Sequence, residues 1–131
     1  RLDNMILKDN QVMGILDWEL STLGHPIADF SYHCLSWRTQ EAFWDQSKLK
    51  ELGIPNEREY MDMYCQNTGK DLSKNWEFYM AFNMFKIAGI LQGILGRVRD
   101  GTASSKHAED RGMMVYPLSD AAWSTIEKNL L

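Results

Sequence analysis

The sequence predicts an α+β fold that is mostly α, with one β-hairpin at the start and a bundle of helices after it. Three observations carry this. Two short apolar runs, Met5–Lys8 and Val12–Leu16, flank the polar triplet Asp9-Asn10-Gln11, the pattern of two strands joined by a tight turn. From Pro26 onward apolar residues recur at helical spacing, without the alternation of further strands. Finally, 131 residues, 44% of them hydrophobic and 24% charged, suffice for one domain (1–131) with its own core.

The hairpin spans about residues 5–16 and ends at Asp17. Ser21-Thr22-Leu23-Gly24-His25-Pro26 is a loop of turn formers, and Pro26 suits the first turn of a helix expected over Pro26–Trp37. The apolar positions of that helix, Ile27, Phe30, Tyr32, Cys34, Leu35 and Trp37, cover more than one face, which predicts a central helix. Arg38–Pro55 mixes polar residues with Phe43, Trp44, Leu49, Leu52 and Ile54, so a loop with a short helix is expected. Asn56 with Glu59 has the spacing of a capping box, and Asn67-Thr68-Gly69 should end the helix it opens. The longest helix is expected from Trp76 to about Val98, with Gly89 and Gly93 permitting close helix approach. The last carries Met113, Tyr116, Leu118, Trp123 and Ile126 and should kink at Pro117.

The formal net charge of −4 argues against a nucleic-acid partner, whose phosphates require clustered Lys and Arg. The most apolar run, Phe78–Val98, is interrupted by Asn83, Lys86, Gln92 and Arg97, so it reads as a buried helix of a soluble fold, with no membrane partner. Cys34 and Cys65 sit among apolar and aromatic residues and read as reduced thiols, with the cytoplasm as the expected compartment. His33 beside Cys34 is no zinc site, because adjacent helical residues point in different directions and no second pair follows at ligand spacing.

The chemistry concentrates at the hairpin's two ends. A hairpin brings its ends together, so Asn4 and Asp17 should lie side by side. An amide oxygen and a carboxylate oxygen are hard ligands of the kind Mg²⁺ takes, with water and phosphate oxygens filling the remaining positions. Kinase-type phosphoryl transfer holds its metal on such a pair, an Asn ending the catalytic loop and an Asp after the following strand.

Arg1-Leu2-Asp3-Asn4-Met5-Ile6-Leu7 and Gly14-Ile15-Leu16-Asp17-Trp18-Glu19-Leu20-Ser21-Thr22-Leu23-Gly24-His25-Pro26-Ile27-Ala28-Asp29-Phe30 resemble the core of the aminoglycoside phosphotransferase and choline kinase-like family. The resemblance implies a protein-kinase-like C-terminal lobe and an ATP- and Mg²⁺-dependent phosphotransferase acting on a hydroxyl of a small molecule. It assigns Asn4 and Asp17 to the metal, and Asp29 to steadying the backbone of the catalytic loop. The family's His-Gly-Asp, which carries the catalytic base, is expected just before Arg1, and the ATP-covering N-terminal lobe further back. The chain is therefore expected to be part of a longer protein and, taken alone, to be inactive.

The wording of Asp17–Pro26 looks most like the branch associated with acyl-CoA dehydrogenases, which suggests a hydroxyacyl-CoA as the acceptor. Glu19 stands close to the pair, either as a contact to metal-bound water or substrate or as a brace of its loop. His25 is expected to pack and hydrogen-bond within the loop. The aromatic and Met positions of Tyr60–Tyr64, Phe78–Phe85 and Met113–Tyr116 should be core first and acceptor pocket second. Surface near the hairpin is expected to self-associate, giving a homodimer. The competing function is a non-catalytic one, a pseudokinase or a helical interaction module.

Overall fold

The computed structural model describes residues 4–19, 21–39 and 46–129. Arg1, Leu2, Asp3, Leu20, Phe43 and Trp44, named above, lie outside them. The described residues form β1 (Met5–Lys8), β2 (Gln11–Ile15), α1 (Pro26–Arg38), α2 (Gln46–Glu51), α3 (Glu57–Thr68), α4 (Trp76–Arg99), α5 (Ala108–Met113) and α6 (Val115–Asn129). This is the mostly helical α+β architecture the sequence predicts.

β1 and β2 pair antiparallel through a two-residue turn, Lys8 facing Gln11. Asp9 and Asn10 both take positive φ, 51° and 60°, as the turn that matches strand twist requires, and Asp and Asn bear that backbone better than most residues. The register runs Leu7 to Val12 and then Ile6 to Gly14, so Met13 is an extra residue, a β-bulge that bends the strand.

α1 begins where the sequence places it. His25 is the N-cap, its Nδ1 accepting from the Ile27 amide at 3.3 Å, and Pro26 occupies the first turn. The helix is central, as expected, burying Ile27, Phe30, Ser31, Cys34 and Leu35. α3 lies against it through stacked rings, Phe30 on Tyr64 at 3.9 Å and Trp37 on Tyr60 at 5.1 Å. The capping box of α3 forms in full, with the Asn56 side chain accepting from the Glu59 amide at 3.0 Å and the Glu59 side chain from the Asn56 amide at 2.9 Å. Gly69, at φ 68°, closes the helix in the left-handed conformation.

α4 runs through the body and packs on α1, α5 and α6. Its length and composition are those of a helix able to cross a bilayer, yet its polar Asn83 is used inside the fold. Asn83 is buried and donates from Nδ2 to the Ala28 carbonyl and to Ser31 Oγ, both at 2.8 Å. A tie that sequence spacing could not show joins three helix ends. Arg38, in the last turn of α1, donates to Glu57 at 2.6 and 2.8 Å and to Glu77 at 2.9 and 3.1 Å. Glu57 and Glu77 sit in the first turns of α3 and α4, so each charge also complements a helix dipole.

Three expectations fail. α4 is not buried all round: Met80, Ala81, Met84 and Ala88 are, but Phe78, Phe82 and Phe85 face outward. Gly89 and Gly93 permit no close approach among the described residues, since a Cβ on either would meet open space. The close contact is at Gly112 instead, where a Cβ would stand 2.5 Å from the Leu95 side chain. Pro117 does not kink a continuous helix. The break comes earlier, between α5 and α6 at Met114, and Pro117 falls in the first turn of α6, where its missing N–H costs nothing.

Candidate functional site

The hairpin brings Asn4 and Asp17 together as predicted. Beyond the Met5–Ile15 pair the ladder continues by one bond, Leu16 N–H to the Asn4 carbonyl at 2.8 Å. That bond fixes Asn4 opposite the strand exit, and Asp17, the next residue, turns back with φ 66°. Asn4 Nδ2 then donates to Asp17 Oδ2 at 2.9 Å. Trp18 braces the same corner, its indole N–H donating to the Ile15 carbonyl at 2.6 Å. A left-handed backbone at a non-glycine residue carries strain; here it re-aims the carboxylate toward Asn4 instead of along the strand.

The donor set suits a small hard cation. The bond between the two side chains uses one amide hydrogen and one carboxylate oxygen, so the pair still presents the Asn4 amide oxygen and the second Asp17 oxygen as hard ligands. Among the described residues no group of three His, Cys, Asp or Glu converges as a closed metal cage. Two oxygen donors, one on the half-buried Asn4 and one on the exposed Asp17, suit an ion such as Mg²⁺ that keeps part of its hydration shell, and would not satisfy a structural zinc.

The other predicted residues lie at different distances from this corner. Glu19 is exposed in the turn that follows Asp17. His25 has the packing role expected of it, capping α1 and stacking on Tyr79 with ring centroids 5.1 Å apart. Asp29 is exposed on the first turn of α1 and borders a cleft of about 830 Å³ shared with Met5, Tyr32, His33, Tyr60 and Tyr64. Met5 adjoins Asn4, so this cleft opens next to the metal-competent pair.

His33 has no second ligand at zinc spacing in the sequence, and its place in the cleft is set by the fold alone. Its ring lies against Tyr60 and Trp37, and the desolvation holds its pKa below the ordinary imidazole value, with Asp29 opposing that shift. Cys34 lies behind it, buried, with its thiol pushed up to about 12 by desolvation; it is a packing residue, not a nucleophile. Both cysteines are free thiols, as expected.

Residues 1–64 match the sequence profile of the phosphotransferase enzyme family. The chain is 42% identical to acyl-CoA dehydrogenase family member 10 of Mus musculus over 98% of its own length and 13% of that protein. It is 36% identical to acyl-CoA dehydrogenase family member 11 of Homo sapiens over 92% of itself and 16% of that protein. A probable acyl-CoA dehydrogenase of Arabidopsis thaliana is 33% identical over 98% of the chain and 17% of the relative. The chain thus spans less than a fifth of the length of these relatives. The branch read from Asp17–Pro26 agrees with their names. No solved structure matches the chain.

Proposed function

We propose, from the match of residues 1–64 to the phosphotransferase enzyme family, that this chain is part of an ATP- and Mg²⁺-dependent enzyme that phosphorylates a hydroxyl of a small molecule. The observation that carries the reading is the Asn4–Asp17 contact at 2.9 Å, two hard ligands set side by side by hairpin register. The bound metal would supply charge neutralisation on the phosphate oxygens. Asn4 and Asp17 would hold it; Glu19, in the turn that follows, would contact its water, and Asp29 would steady the catalytic loop. In the reaction the bond between the γ-phosphorus and its bridging oxygen breaks, releasing ADP, and a bond to the acceptor oxygen forms. The acceptor's proton goes to a carboxylate base that this reading sets upstream of Arg1.

The names of the relatives and the cleft beside Met5 support a hydroxyacyl-CoA as the acceptor. A hydroxyacyl-CoA offers a hydroxyl near a carbon chain, and Tyr32, Tyr60 and Tyr64 give that chain a half-apolar wall. Asp17→Ala, made in the longest natural polypeptide that carries this segment, should lower kcat about 100-fold or more. It should also abolish Mn²⁺ binding measured by electron paramagnetic resonance, while circular dichroism stays unchanged because Asp17 is exposed. Normal turnover with hydroxyacyl-CoA and Mg-ATP in that variant would overturn the assignment.

A further inference from the structure

α4 carries a stripe that none of the described residues covers. Phe78, Phe82, Phe85, Gly89, Gly93 and Gly96 are separated by 4, 3, 4, 4 and 3 residues, which keeps all six on one face of a helix of 3.6 residues per turn. The phenylalanines stand out from it, Phe85 being 73% exposed. The glycines form a trough: a Cβ on any of the three would meet no atom within 4 Å. Half of the stripe is knobs and the other half is notch. Such a sequence is complementary to itself when reversed.

We infer that α4 is the contact by which two copies of this chain pair, antiparallel about a two-fold axis that crosses the stripe midway between Phe85 and Gly89. With the crossing there, Phe85 sits over the partner's Gly89, Phe82 over the partner's Gly93 and Phe78 over the partner's Gly96. The same three contacts repeat with the copies exchanged, which is the defining property of an isologous interface. Glycines let the backbones come close enough for the rings to fill the trough.

The area is of the right size. Phe78, Phe82 and Phe85 continue into Trp123 and Ile126 of α6, which line the same apolar groove, and Tyr116 is exposed on α6 as well. With aromatic side chains of about 150–250 Å² each, the exposed parts of the five rings amount to roughly 600 Å² per copy. The intervening glycine backbone brings this close to the ~800 Å² that each partner of a stable pair buries. This inference is independent of the phosphotransfer reading.

Gly93→Leu is the decisive variant, because the side chain enters open space in the single copy but fills the notch of the pair. Replacing glycine in a helix also removes a propensity penalty, so the variant's melting temperature should hold or rise. In sedimentation equilibrium the unmodified chain should show a monomer–dimer equilibrium, at least ~10-fold weaker in Gly93→Leu. As a second measurement, Phe82→Cys and Gly93→Cys chains, each also Cys65→Ser, are mixed and oxidised. A disulfide should form between the two variants but not within either alone, since like positions lie too far apart to bridge. A monomer at every concentration, an undiminished Gly93→Leu dimer, a dimer dispersed only by Ile15→Lys in the hairpin, or a stripe that binds neutral lipid vesicles without pairing would each overturn it.

Discussion

The hairpin and the helical body are built on opposite principles. In the body, position is set by burial: Cys34, Met80 and Met84 are sealed from solvent, and the buried Asn83 has both of its partners in α1. In the hairpin, Ile6, Leu7, Val12, Met13 and Ile15 are all about half exposed or more, so position is set by turn geometry, register and a bulge. The candidate metal ligands sit on this second kind of structure. Side-chain geometry is here specified by hydrogen bonds of the backbone and of Asn4 and Trp18, with little packing beneath it.

This contrast can be broken at either end. Met80→Ala removes a side chain of α4 that has no exposure and belongs to the hydrophobic core, and should cost about 2–5 kcal/mol in denaturant unfolding. Asn83→Leu removes the amide that donates to both the Ala28 carbonyl and the Ser31 hydroxyl, leaving these two with their mutual bond at 3.2 Å, and should cost about 1–3 kcal/mol by the same measurement. Ile6→Ser, in the hairpin, should change stability by no more than ~0.5 kcal/mol. A loss there as large as that of Met80→Ala would mean that the hairpin is held by burial after all, and the contrast would fall.

Much of the fold was legible in the sequence because its signals are local. The capping box of Asn56 and Glu59, the Pro26 helix start and the Asp9-Asn10 turn each act over a few residues and form as read. The Asn4–Asp17 contact was legible because a hairpin turns a long sequence separation into a local one. What was not legible is relational. The α5–α6 break depends on where Pro117 falls within a turn, and the contact at Gly112 on how α5 lies over Leu95. The Arg38 tie to Glu57 and Glu77 spans three helices, and the outward face of α4 shows only once its neighbours are placed.

The bulge at Met13 has a further consequence for how this segment can change in length. Because Ile6 and Gly14, and Met5 and Ile15, pair across the strands with Met13 looped between them, that position can lose its extra residue while every pair on either side is kept. Asn4 would still face the strand exit, and Asp17 would still follow it. An insertion or deletion in β1, or one at Gly14 or beyond, has no such slack, since it shifts one strand against the other and turns alternate side chains to the wrong face. Met13 is thus a point of tolerance within β2, where the chain between the two metal-competent residues can shorten without separating them.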